Sequence, residues 1–224
     1  MDWGWIGRNL DQMWSQALEH AALSTLPIVI GFLISVPLGY WASRSTAARS
    51  ILFVLGNIVY TIPAIALIVF VPVTLGLAVL DPRNLVVALT LYAIALMVRA
   101  ASDAFAAVPH DVTGSATAVG FSGIQRFFAV DLPLAGPVLL AGVRVVSVST
   151  VSLVSVGALT GIDNLGMLFT DAFRNDNFPE AVAGIVAVLI IAAVFDIVLS
   201  LIGRLLMPWN RRSPSRVLRP TVAI

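Results

Sequence analysis

From Ala21 to Trp41 the chain carries no charged residue, and a second uncharged stretch runs from Ile51 to about Val79. A helix needs about 20 apolar residues to cross the hydrocarbon of a bilayer. Hydrocarbon offers no water to bond a stray N–H or C=O, so stretches of this length are held to helices that satisfy their own backbone. Three more apolar stretches follow, from Leu85 to about Ala107, from about Val138 to Leu159, and from Ala181 to about Leu206. The pattern predicts an all-α polytopic membrane protein with about five transmembrane helices. Charge is scarce, at 11% of residues against 59% hydrophobic, too little to clothe a soluble domain of this size.

The spans divide the chain into three parts. Residues 1–20, with Trp3, Trp5 and Trp14, read as an extracytoplasmic segment lying at the headgroups, where tryptophan is favoured. Residues 21–206 form the membrane domain. Residues 207–224 are arginine-rich and broken by proline, and read as a disordered basic tail on the cytoplasmic side. The N-terminus lacks a basic region followed directly by a short apolar core, so no cleavable signal is expected.

Polar residues inside the spans are the candidates for a pathway. Pro63 and Pro72 interrupt the second span and should kink it. Asn57 and Thr61 stand four residues apart, on one helix face, which suits either helix packing or the lining of a path. Ser147, Ser149, Thr150, Ser152 and Ser155 give the fourth span a run of small hydroxyls with the same two readings. Arg99 and Asp103 are spaced to pair along the third span. Asp196 is an acid deep in the fifth, and a hydrogen bond to a neighbouring helix is its favoured role.

Charge sorting sets the expected orientation. Every one of the 13 basic residues is arginine. With the N-terminus outside, the inner segments hold Arg44, Arg49, Arg126, Arg211, Arg212, Arg216 and Arg219, with Arg99 and Arg204 at inner helix ends. The outer segments keep Arg8, Arg83 and Arg174 beside most of the acids. That is the positive-inside pattern. The lack of lysine also excludes a P-loop, whose lysine reaches the nucleotide phosphates. Any ATP that drives this protein must be bound by another subunit. There is no cysteine, so thiol chemistry and disulfides are excluded. His20 and His110 are isolated from each other and neither has a second ligand at metal spacing, so no metal site is assigned.

The orientation puts Pro109–Pro137 in the cytoplasm. Ser115–Val119 can form a short helix, and Gly120 allows a sharp turn through positive φ. Ile124, Phe127 and Phe128 then fall at helical spacing as an apolar knob, and Pro133 and Pro137 separate the segment from the next span. Such a knob suits docking in a partner's groove or lying on lipid headgroups, and periodicity does not choose between them.

Spacing around Gly120 adds a resemblance. Permease subunits of bacterial ABC importers carry E-A-A-x-x-x-G, nine residues, then I-x-L-P. Here Gly114-Ser115-Ala116-x-x-x-Gly120 is followed by Val130-Asp131-Leu132-Pro133. Ala116, Gly120, Leu132 and Pro133 match, Val130 stands for isoleucine, and Gly114 occupies the place of the glutamate. The entry through Val98-Arg99 and Val108-Pro109 is also similar. Tyr60-Thr61-Ile62-Pro63-Ala64 resembles the Q-T-I/L-P-S segment of the osmoprotectant group, for glycine betaine, carnitine and choline. Gly161-Ile162-Asp163-Asn164-Leu165-Gly166 resembles that group's G-G-G-G-L-G run at Gly161, Leu165 and Gly166.

The resemblance covers about Leu23–Leu206 and implies a type I importer permease in a bacterial cytoplasmic membrane, with no catalytic residues of its own. It implies docking of a cytoplasmic ATPase dimer, which holds ATP and Mg, on the loop 109–131. The coupling residues would be Gly114, Ser115, Ala116, Gly120, Ile124, Phe127, Phe128 and Pro133. It further implies a second permease subunit, identical or paralogous, and an extracytoplasmic solute-binding protein; no nucleic acid is expected. Asn57, Tyr60, Thr61, Pro63, Ser152 and Ser155 are the translocation-path candidates. A methionine-like amino-acid permease is the nearest alternative. An ion-coupled transporter would want more intramembrane ionisable groups and a repeat, and an intramembrane enzyme would want a catalytic constellation in the spans. A non-transport scaffold fits less well with proline-kinked, hydroxyl-bearing spans.

Overall fold

The structure, a computed structural model, describes residues 3–78 and 80–210. The tail expected over 207–224 lies outside the described residues from 211 onward. All regular elements among the described residues are helical.

A short helix α1 (Gly4–Arg8) leads into α2 (Leu10–Arg44). No helix end falls near residue 20. Residues 10–26 hold no proline or glycine and many good helix formers, so the helix continues straight into the apolar stretch. At roughly 1.5 Å per residue α2 is about 50 Å long, well beyond the ~30 Å of hydrocarbon, and its outer turns stand clear of the core. Ser45 ends it and caps α3 (Thr46–Thr61) by accepting from Ala48 N–H at 3.3 Å.

The second span is broken rather than kinked. α3 and α4 (Ala64–Leu75) meet at 102°. Pro63 forces Ile62 out of the helical region, to φ −68° and ψ 129°, and starts the next helix. The carbonyl freed at Ile62 is taken by the Tyr92 hydroxyl. α4 ends on Gly76 at φ 67°, where a side chain would be strained.

Asp81 caps α5 (Pro82–Ala106), the most enclosed helix of the bundle, with Leu85, Ala88, Leu89, Ala93, Met97 and Ala101 all buried. α2 packs on it through small residues. A Cβ placed on Gly31 would lie 2.6 Å from the Ala93 methyl, and Gly39 lies as closely on Ala101. Both helices step in the same direction through these contacts, so α2 and α5 are parallel. The broken pair α3–α4 therefore carries the chain back across the bundle between them.

α6 (His110–Ala118), α7 (Gly123–Arg126) and a π turn at Phe127–Asp131 lead into α8 (Leu132–Val154), which a 3₁₀ turn extends over Ser155–Thr160. Gly142 meets Ala100 and Gly157 meets Leu85, so α8 is antiparallel to α5. α9 (Met167–Arg174) crosses the loop before α10 (Phe178–Leu206). α10 is antiparallel to α8, with Gly203 on Leu140 and Asp196 on Arg144. The most apolar 18 residues of α10 bury nothing within the chain, which fits a helix facing lipid or another subunit. Among the described residues, four helices and one broken pair are long and apolar enough to cross a membrane.

Candidate coupling surface and translocation face

The topology gathers the α2–α3 turn, the segment between α5 and α8, and the end of α10 at one end of the bundle. α6 stops where Gly120 turns at φ 95°; the Gly120 and Phe121 N–H groups bond back to Thr117 and Ala116 carbonyls at 3.1 Å each. Ser122 and Gln125 then form a reciprocal capping box that starts α7. Arg126 Nη1 donates to Thr117 Oγ1 at 2.9 Å and ties the two short helices together.

The pair is fastened to the bundle through Asp131, which is only 2% exposed. Its Oδ2 accepts from the Tyr40 hydroxyl and from Arg44 Nη2, each at 2.9 Å, and Arg126 Nε stands 3.5 Å away. The Tyr40 ring packs edge-on against Phe105 at 5.1 Å and Phe127 at 4.7 Å. One carboxylate thus links α2, α7 and the start of α8, beneath an aromatic cluster that adds the end of α5.

Two expectations change here. Phe127 does not join an exposed knob; it turns inward because Tyr40 and Phe105 offer it an aromatic pocket. Ile124 and Phe128 remain outward at 75% and 64% exposure, alongside Val119. Pro133 and Pro137 do not separate the loop from the span. Pro133 sits in the first turn of α8, where its missing N–H is tolerated, and the wide π turn ahead of it lets the helix run on through Pro137. Of the other coupling candidates, Gly114, Ser115 and Gly120 are exposed, Ala116 is the buried residue of α6, and Pro133 is half-buried.

The path candidates fall in two places. Asn57 and Thr61 border an open cleft with Val54, Ile58 and Ile62. Tyr60 is exposed and meets the buried Tyr92 edge-on at 5.7 Å, and Pro63 is exposed at the break. Ser152 and Ser155 do not line that cleft: Ser152 is exposed on α8, and Ser155 is half-buried where the 161–166 loop folds over it. That loop is pinned at the opposite end of the bundle. Asn164 bonds Ile162 O at 2.8 Å and Gly166 N–H at 2.7 Å, and Gln16 donates to Asp163 at 3.3 Å. Nearby, His20 donates from Nε2 to Val151 O at 2.9 Å, a buried tie between α2 and α8.

The spaced pair Arg99–Asp103 does not form. Asp103 takes Arg49 of α3 at 2.8 Å, while Arg99 lies over Phe53 at 4.7 Å and donates to Asn57 Oδ1 at 3.3 Å. Asp196 meets Arg144 of α8. Arg144 had a readable signal, since it and Asp196 are opposite charges in neighbouring spans. Asp131 had none, because it occupies the unspecified position of the V-D-L-P run.

Residues 23–212 match the family described as the binding-protein-dependent transport system inner membrane component. The chain belongs to that family. This inner membrane component is similar to the choline transport system permease protein OpuBB of Bacillus subtilis (strain 168), with 26% identity over 200 residues, covering 89% of this chain and 91% of OpuBB. It is 28% identical over 191 residues to the glycine betaine/proline betaine transport system permease protein ProW of Escherichia coli (strain K12), covering 85% of this chain and 53% of ProW. Its fold matches that of the MetNI methionine ABC transporter in inward facing conformations, with TM-score 0.76 at 21% identity, covering 88% of this chain and 98% of the other. An amino acid ABC transporter gives TM-score 0.74 at 14% identity, covering 91% and 98%. The inner membrane component is therefore an all-α transport permease of the ABC importer type, not a catalytic subunit.

Proposed function

We propose that this permease forms half of the pore of an ATP-driven importer for a quaternary-amine osmoprotectant of the glycine betaine, carnitine and choline class. The observation that carries the coupling role is the α6–α7 pair, which projects Val119, Ile124 and Phe128 from the arginine-rich end of the bundle and is bolted to α2 and α8 through Asp131. A separate ATPase dimer, holding ATP and Mg, docks on this pair in the cytoplasm. Its closure pushes the pair, and the Asp131 anchor passes the movement into the spans. The N-terminus lies outside. The solute-binding protein delivers solute at the acidic end, near 161–180, and supplies most of the selectivity.

The face bearing Asn57, Thr61 and Arg99 is exposed on the single chain and too polar to face lipid, so it meets the second permease across the path. The osmoprotectant reading rests on relatives at 26–28% identity, against 14–21% for the amino-acid transporters of the same fold. Proteoliposomes holding this permease, its ATPase and its binding protein should accumulate glycine betaine or choline on ATP addition. Uptake of methionine alone, or uptake without ATP, would sink the reading.

A further inference from the structure

Phe53 separates two guanidinium groups, with Arg49 over its ring at 5.2 Å and Arg99 at 4.7 Å. The two cations are treated differently. Arg49 is neutralised by Asp103 at 2.8 Å, but Arg99 has no carboxylate partner among the described residues. Among the described residues its polar contact is a long 3.3 Å bond to Asn57 Oδ1, out of the five N–H donors a guanidinium carries.

Arg99 also points the expensive way. A side chain on α5 leans toward the helix N-terminus, away from the inner end of the bundle. Asn57, which receives it, lies about 16 Å along α3 from Thr46, at roughly 1.5 Å per residue. Arg99 is thus held along α3 toward the middle of the bundle rather than turned to the end where Arg49 pairs with Asp103. One turn on, Thr61 Oγ1 donates to the Asn57 backbone carbonyl at 2.7 Å, which keeps the Thr61 hydroxyl on the same helix. Asn57 and Thr61 border the cleft, and the neighbouring Tyr60 ring is exposed.

Resting on the osmoprotectant reading, we infer that Arg99, oriented by Asn57, is a carboxylate-binding station on the translocation face. The solute class is then a quaternary amine that also carries a carboxylate, as glycine betaine and carnitine do, rather than choline, which has none. An exposed guanidinium attracts a carboxylate through charge-assisted hydrogen bonds and repels a bare cation. The Tyr60 ring, farther along the same face, suits the trimethylammonium group as it passes. The permease thus adds a discrimination of its own to that of the binding protein.

The test measures ATP-driven uptake of labelled glycine betaine and labelled choline in proteoliposomes of the full complex, for wild type, R99Q and R99K. Wild type should favour glycine betaine. R99Q should lower glycine betaine uptake about tenfold or more, the size of a lost charge-assisted hydrogen bond, leave choline uptake unchanged or higher, and keep glycine betaine binding to the binding protein intact. R99K should recover part of the loss. Choline uptake by wild type at or above the glycine betaine rate overturns the inference, as do unchanged glycine betaine uptake by R99Q, a parallel fall in both solutes, or a loss that R99K does not relieve. Failure of wild type to carry either solute is a different result, which overturns the osmoprotectant reading itself.

Discussion

Arg144 of α8 and Asp196 of α10 share two hydrogen bonds, 2.6 Å from Nε to Oδ1 and 2.7 Å from Nη2 to Oδ2. The parallel fork matches guanidinium to carboxylate geometry and fixes the rotation of one helix against the other. α10 also packs Phe195 and Leu199 on the core and sets Gly203 against Leu140. We expect R144A and D196A each to lower the melting temperature of the detergent-solubilised permease, since each leaves a lone charge in an apolar setting. The swapped pair R144D/D196R should recover more than half of the loss. A swap no better than the worse single variant would show that the pair does not hold α10.

Gly120→Val should uncouple transport. At φ 95° a β-branched residue is strained by about 1–2 kcal/mol, yet nothing lies within 4 Å of the added carbon, so the effect is confined to the turn between α6 and α7. Insertion and melting of the bundle should stay near wild type while ATP-driven uptake falls several-fold. Uptake and ATPase rates measured on the same vesicles check this.

Gly114→Glu should be accommodated. A Cβ there also meets nothing within 4 Å, and the site is exposed and helical. Restoring the acid of the family pattern should strengthen co-purification with the ATPase. Unchanged retention across a salt series would mean that this position does not touch the motor.

Asp131→Asn should loosen the α6–α7 pair. The substitution removes the charge shared by Arg44 and Arg126 from a site that is 2% exposed. Arg44 is partly in solvent, so we expect a cost of roughly 2 kcal/mol rather than the full penalty for breaking a buried pair. Hydrogen exchange should rise over 110–131 well before it rises in α5.

Gly39→Val should damage the bundle itself. Its Cβ would press on Ala101 and come within 2.8 Å of Ser102 N, and backbone cannot give way as a side-chain tip can. Overpacking of this kind costs about 1–3 kcal/mol. Gly7→Ala, with nothing within 4 Å, is the matched control and should melt like wild type.

Hydrophobic runs made the helices and the fold class legible, because run length answers to bilayer thickness alone. Boundaries were harder. Residue 20 marks no break, since helix formers continue through it; Pro63 marks a far larger one than a kink, since two extended residues fit there and Tyr92 satisfies the freed carbonyl. The outward faces of Ile124 and Phe128 followed from spacing. Phe127 did not, because its inward turn depends on Tyr40 and Phe105, which are distant in sequence. The ion pairs were the least legible: Asp103 chooses Arg49 of another helix over Arg99 one turn away, and only tertiary geometry makes that choice.

The parallel run of α2 and α5, with α10 alongside in the same sense, has an electrical result. Peptide dipoles in a helix sum to about half a negative charge at the C-terminal end. Three long helices direct that end to one side of the bundle, while α8 and the bent α3–α4 pair run the other way, so the dipoles cancel only in part. Arg44 in the last turn of α2 and Arg204 in the last turn of α10 stand where this surplus collects. Those two arginines therefore oppose the standing field that the chain's own backbone creates.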